Sequence, residues 1–173
     1  MSEAVALRRV QEADRPELLA LNNAHAVELS YAEADEFARL LEMAFLASTS
    51  GEVGAPGSLL LALDQDAPCD GPNFRWFKAR YARFVYVDRI VVAASAPGRG
   101  LAERHYAQLF AMAGKAGHTR IVCEVNSDPP NPISDAFHAK LGFEQVGEQW
   151  LSDRDKTVRY LCRPLYSVVA CAC

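Results

Sequence analysis

Residues 91–103 read Val91-Val92-Ala93-Ala94-Ser95-Ala96-Pro97-Gly98-Arg99-Gly100-Leu101-Ala102-Glu103. Two β-branched residues, a turn, two glycines and a helix start are compressed into this one stretch. Glycine lets a backbone turn tightly and approach a ligand closely. The helix behind it directs unsatisfied N–H groups and a partial positive charge into the turn, which suits a phosphate or diphosphate. Gly-Xaa-Gly ahead of a helix is equally the form of a plain turn. The stretch is not a Walker loop, since no Gly-Lys-Ser/Thr follows, and Glu103 stands where a dinucleotide fingerprint needs its third glycine.

A second patterned stretch is Asn131-Pro132-Ile133-Ser134-Asp135-Ala136-Phe137-His138-Ala139-Lys140-Leu141-Gly142-Phe143. Asn131 is a natural N-cap and Pro132 a natural first helical residue. Helical spacing puts Asn131, Ser134 and His138 on one face. It puts Ile133, Phe137 and Leu141 on the other, expected to be buried. The run from Asn73 to Phe84 interleaves Phe74, Trp76, Phe77 and Tyr81 with Arg75, Lys78, Arg80 and Arg83. It fits an acceptor pocket or lid, a core or dimer surface, or a platform for stacked bases. His25 lies on an apolar helical stripe and reads as a core or cleft histidine, with a substrate contact as the alternative. His105 and His118 read as structural or exposed. No two histidines have metal-ligand spacing, so no catalytic metal is expected.

These residues need elements to position them, and 173 residues are about one domain, here taken as 1–173. Half the residues are apolar and 23% are charged, a globular composition that excludes a disordered chain, a collagen-like fibre and a coiled coil. No apolar run approaches the ~20 residues that cross a bilayer, and no secretory signal is visible, so no membrane partner is expected. The net charge of −4, from 18 Lys+Arg against 22 Asp+Glu, argues against a general nucleic-acid binder. Five cysteines in odd number and irregular spacing (Cys69, Cys123, Cys162, Cys171, Cys173) read as reduced thiols of a cytoplasmic protein, with the Cys171–Cys173 tail a frayed end.

Periodicity predicts a strand over 5–10, then a helix capped by Asp14 with Pro16 in its first turn. A second helix is opened by the capping box Ser30-Tyr31-Ala32-Glu33. Residues 48–57 read as turn and 58–63 as a buried strand. A loop over 64–73 and a β-prone run over 81–92 follow. A helix over 101–116 ends at Gly117. A strand over 121–125, the helix opened by Asn131, and a hairpin of 143–151 with 156–163 complete the chain. Mixed strands with hairpins exclude a purely parallel sheet.

The two patterned stretches resemble the GNAT superfamily of N-acetyltransferases. The family's Arg/Gln-x-x-Gly-x-Gly/Ala matches 97–102 at Gly100 and Ala102, with Pro97 in place of Arg/Gln. Its Asn-x-x-Ala/Ser-x-x-Phe/Leu-Tyr-x-Lys/Arg-x-Gly-Phe matches 131–143. The likeness runs from about Arg83 to Leu151 and extends by element order. It implies a mixed α/β (α+β) fold with a central, mostly antiparallel sheet of about six to seven strands. That sheet is splayed between strands four and five and flanked by about four helices.

The resemblance also implies an acyltransferase that moves an acetyl group from acetyl-CoA, its cosubstrate, to a primary amine by direct attack. The alternative is a non-catalytic acyl-CoA-binding regulatory module on the same fold. The coenzyme phosphates would sit on Gly98, Arg99, Gly100, Leu101, Ala102 and Glu103. The pantetheine arm would run along Val91 and Val92, one of which donates an oxyanion N–H, and past Asn131, Ser134 and Phe137. His138 occupies the place of a thiolate-protonating Tyr; some members resembling phosphinothricin acetyltransferase also have His there. It is read as proton donor, cofactor contact or inert packing. Asp88 or Glu124 would take the amine proton, directly or through water, with an ion pair to Arg89 as the other reading of Asp88. His25, Phe74 and Trp76 would touch the acceptor. The acceptor is the amine of a small molecule or peptide, no nucleic acid is expected, and a homodimer is compatible with the family.

Overall fold

The computed structural model describes residues 5–96 and 100–166. Met1–Ala4, Pro97, Gly98, Arg99 and the tail with Cys171 and Cys173 lie outside the described residues, and with them two of the expected phosphate contacts. The chain forms two compact units. One is the chain up to Pro68 with Val87–Leu109; the other is Cys69–Tyr86 with the chain from Phe110 on.

The first unit opens with strand β1 (Leu7–Arg9) and a 3-10 turn (Glu12–Asp14). Helices α1 (Arg15–Ala24), α2 (Ala26–Leu29) and α3 (Ala34–Glu42) follow, then strands β2 (Leu46–Ser50) and β3 (Ser58–Asp64). Leu18, Phe37, Leu40 and Leu46 are buried with the whole of Leu59–Leu63, the apolar run of a strand covered on both faces. Asp14 does not cap α1 through its side chain. Its carboxylate instead receives both terminal nitrogens of Arg8 at 2.7 and 2.9 Å and the N–H groups of Gln11 and Gly54. Those donors hold it well below the usual carboxylate range, at about 2.

Two further expectations are corrected in this unit. Ser30 does not open α3; it ends α2 at φ 68°, and α3 begins at Ala34. Ser30 O accepts from Asn22 Nδ2 instead, which fixes the turn. Residues 48–50 are not turn but the end of β2. Ser48, Thr49 and Ser50 are fully or almost fully buried because each hydroxyl finds a partner inside the unit.

The second unit holds α4 (Pro72–Lys78), β5 (Arg120–Asp128), α6 (Pro132–Lys140), β6 (Glu144–Leu151) and β7 (Lys156–Pro164). The segment from Pro72 to Lys78 is thus helical, where a loop was expected to run to Asn73. Pro72 is pre-set for a first turn, and Phe74 and Phe77, three apart, share the buried face. On α6 the expected burial fails at two positions, Ile133 and His138, while Asn131, Ser134, Phe137 and Leu141 are all half-buried. Ile133 is 83% exposed and His138 only 3%, since His138 packs edge-on against Phe137 and Phe143.

Strand β4 (Val85–Val92) and helix α5 (Leu101–Lys115) run through both units. The strand order is β1-β2-β3-β4-β5-β7-β6. β4 and β5 pair in parallel at Val85↔Ile121 and Tyr86↔Val122, while β1–β2, β2–β3, β5–β7 and β6–β7 are antiparallel. This is the expected mixed, mostly antiparallel sheet, with seven strands. Six α-helices accompany it among the described residues, more than the four expected, because α2 and α4 are short.

Candidate active site

In the first unit β4 alternates. Val87, Arg89 and Val91 are buried, while Asp88, Ile90 and Val92 are half-buried. An arginine on the buried face is tolerated because its guanidinium is paired with a carboxylate and an amide oxygen. Nε donates to Asp88 Oδ2 at 2.7 Å and Nη1 donates to Asn22 Oδ1. Asp88 and Arg89 thus form an ion pair on adjacent positions of the strand. Asn22 and Asn23 extend the network. Asn22 Nδ2 donates to Ser30 O, and Asn23 exchanges two bonds with the backbone of Ala32. His25, at the end of α1, is half-buried, and its Nδ1–H donates to Leu21 O at 3.0 Å. A carbonyl only accepts, so Nδ1 carries a proton.

Ala93 follows β4, and its N–H donates to Gly57 O at 2.9 Å. Gly100 is exposed, at φ +78°, and a β-carbon there would meet nothing within 4 Å. The residue is thus glycine for its backbone angle and faces open space at the first turn of α5. Leu101 is buried, Ala102 half-buried and Glu103 exposed, so the first turn is anchored by Leu101 and open elsewhere.

In the second unit Glu124 on β5 accepts from the Tyr86 hydroxyl at 3.0 Å. Register sets it opposite Tyr160 of β7. Burial, then the Glu124 charge, pushes the Tyr160 phenol well above its ordinary value, so it is a neutral donor. Its O–H donates to Asn73 Oδ1 at 2.9 Å and lies 3.2 Å from Gln149 Oε1. Trp76 stacks on Tyr160 at 4.1 Å between centroids, and the Arg80 guanidinium lies 3.6 Å over the Trp76 ring. Trp76 is half-buried. Phe74 is 1% exposed and packs against Phe84 and Tyr86. It is a core residue that offers no face to an acceptor, and the expected contact is corrected accordingly.

At α6, Asn131 Oδ1 accepts from Ser134 N–H at 3.2 Å and caps the helix as expected. His138 Nδ1 lies 2.8 Å from Ser134 O, and a carbonyl only accepts, so Nδ1 carries the proton. Burial lowers the His138 pKa, against a smaller opposing effect of the Ser134 carbonyl and Asp135. The side chain is a neutral imidazole with its lone pair on Nε2. Neither the Tyr86–Glu124 bond nor the place of Tyr160 opposite Glu124 is visible in the sequence. That pairing depends on the β5–β7 register, which has no local signature.

Residues 25–143, more than half the chain, match the model of the acetyltransferase (GNAT) family. The chain belongs to that family. The described part of the phosphate motif, Gly100–Ala102, and the whole of the Asn131–Phe143 motif lie within the match. Among solved structures, the GNAT chain is similar to yncA of Salmonella typhimurium with its cofactor acetyl-CoA. That likeness has a TM-score of 0.67 at 19% identity over 99% of this chain and 100% of that one. It is similar to the ribosomal-protein-alanine N-acetyltransferase of Brucella melitensis, with a TM-score of 0.68 at 20% identity over 93% and 100%. It is also similar to Arabidopsis thaliana NAA60 in complex with a bisubstrate analogue, with a TM-score of 0.73 at 10% identity over 95% and 99%. Comparison with curated protein sequences finds no match.

Among the described residues, Cys69, Cys123 and Cys162 form no disulfide. Among the described residues no three His, Cys, Asp or Glu side chains gather as a metal site, and no helix is long and apolar enough to cross a membrane.

Proposed function

We propose that this chain transfers an acetyl group from acetyl-CoA to a primary amine within one acetyltransferase domain. The family match carries the activity, and its span includes residues of both compact units. The observation that carries the cosubstrate site is Gly100, open and left-handed at the first turn of the 15-residue α5. Amides of Gly100–Glu103 hold the coenzyme's diphosphate. Val91 and Val92 offer backbone groups to the pantetheine arm, and one N–H there stabilises the oxyanion.

The reaction needs a neutral amine, because an alkylammonium has no lone pair. The amine nitrogen attacks the thioester carbonyl, the C–S bond breaks, and coenzyme A leaves as thiol or thiolate. Glu124, already accepting from Tyr86, takes the amine proton directly or through water. Asp88 is held by Arg89, which leaves it better suited to binding than to proton transfer. His138 is neutral with its N–H given to Ser134 O, which supports a coenzyme contact over thiolate protonation. His25 and Trp76 border the acceptor, a small molecule or peptide amine. The net charge of −4 and cysteines in odd number and irregular spacing suit a cytoplasmic enzyme without nucleic-acid partners. A homodimer fits the family.

Gly100→Glu tests this reading, because it adds an anion to the diphosphate seat. Coenzyme A binding by calorimetry is expected to weaken at least about tenfold, with thiol release over a panel of amines lost in parallel. Unchanged affinity would remove the proposed seat.

A further inference from the structure

His105 has no part in the chemistry above, yet both of its ring nitrogens have hydrogen-bond partners. It lies on α5, one turn beyond Gly100 and Leu101, and is fully buried. Both ring nitrogens are used. Nδ1 lies 2.7 Å from Ser48 Oγ on β2, and Nε2 lies 2.8 Å from Ser58 Oγ at the start of β3. A neutral imidazole donates at one nitrogen and accepts at the other, and a serine hydroxyl can meet either need. Ser58 Oγ is itself fixed. It accepts from Ser50 N–H at 3.1 Å and lies 2.7 Å from Ser50 Oγ, while Ser58 O accepts from Thr49 Oγ1 at 2.6 Å. The chain preceding α5 is held at the neighbouring residue. Gly57 O accepts from Ala93 N–H at 2.9 Å, and Gly57 N–H donates to Ser50 O at 2.8 Å. A β-carbon on Gly57 would lie 3.2 Å from Ser50 Oγ and 3.3 Å from Ala96 Cβ, so this approach is already tight.

We infer that Gly57, Ser58 and Ser48 form a clamp on both the exit of β4 and the first turns of α5, which makes His105 a positioning residue for the diphosphate seat. The adjacent pair Gly57–Ser58 fixes Ala93 on one side and, through the imidazole, the rotation of α5 on the other. Amide donors work only when aimed, and misplacement of about 1 Å costs up to a hundredfold. His105 never touches the ligand in this scheme; it aims the donors of Gly100–Glu103. The inference rests on the coenzyme seat proposed above.

The test compares two ligands by calorimetry, coenzyme A and pantetheine, which lacks the diphosphate. Ser48→Ala, Ser58→Ala and His105→Asn are expected to weaken coenzyme A about tenfold and to leave pantetheine unchanged. His105→Gln carries the same amide one methylene further out, within reach of the Nε2 position, so it recovers part of the loss. Equal weakening of both ligands would mean a purely structural role, and unchanged affinity for both would mean no role; either overturns the inference. Ser48→Ala, the mildest change, keeps the test valid should His105→Asn fail to fold. Gly100→Glu separates the two readings. If it weakens coenzyme A while the clamp variants do not, only the clamp falls. If it leaves coenzyme A unaffected, the seat falls and the clamp with it.

Discussion

Gly147 shows how closely single atoms are set in the second unit. A β-carbon there would run into Trp76 Cζ2 and lie 2.7 Å from Cη2. Trp76 has no easy retreat, because Tyr160 stacks on the indole and Arg80 lies over it. Gly147→Ala is therefore expected to destabilise the fold by about 1–3 kcal/mol, measured by urea unfolding. Trp76→Phe removes the obstructing ring, so the double variant should lose less than the sum of the two single changes. Additive losses would mean that Trp76 is not what excludes the methyl group. His138 makes a related point about protons. A residue type that suggests acid catalysis is held as a neutral imidazole, because its N–H serves a backbone carbonyl and burial opposes its charge. Identity alone does not assign a role; the partner of each nitrogen does.

Helix α6 was legible from sequence because its signals are local. Asn131 accepts from Ser134 N–H, and Pro132 needs no donor partner at the first position. Asn131→Ala is expected to cost about 1 kcal/mol in thermal or urea unfolding, and Asn131→Asp to restore most of it. If Asn131 served only the coenzyme, the stability of the free protein would not change. The end of α5 at Gly117, φ +81°, was equally local. β2 was not legible. Its end, Ser48-Thr49-Ser50, has turn composition, and only partners 8 to 57 residues away make these hydroxyls fit for burial. The burial of Ile133 and His138 on α6 was misread for the same reason. Spacing separates two faces but does not say which one the sheet covers, and a histidine with both a carbonyl and aromatic edges to meet outcompeted Ile133 for the interior. The glycine loop and the order of elements were visible; the Glu124–Tyr86 bond and the Arg89–Asn22 staple required the folded register.

Across the whole molecule, two buried ionisable groups divide the acid side of the stability curve into separate windows. His105 has an ordinary pKa of 6.5 and is lowered to about 4, first by burial and then by the Arg104 charge. Above pH 6.5 it is neutral in both folded and unfolded chains, so it contributes no pH dependence. As pH falls from 6.5 toward 4, the unfolded chain takes up a proton that the folded one refuses, and stability drops by about 3 kcal/mol. His138, lowered in the same direction, adds to the same decline. Asp14 acts further down. Its ordinary 3.8 is lowered to about 2, chiefly by its hydrogen bonds from Arg8. Its stabilisation is complete above 3.8 and is lost as pH falls through 2, when the carboxylate takes a proton and the Arg8 pairing breaks. Urea midpoints followed from pH 7.5 to 2.5 should therefore show one decline above pH 4 and a second below it. His105→Gln is expected to lower stability at pH 7.5 but to flatten the first decline, leaving only the share of His138. Asp14→Asn should leave the first decline intact and flatten the second. An unchanged slope between pH 6.5 and 4 in His105→Gln would show that the imidazole accepts its proton inside the fold, and that the serine clamp tolerates a charge.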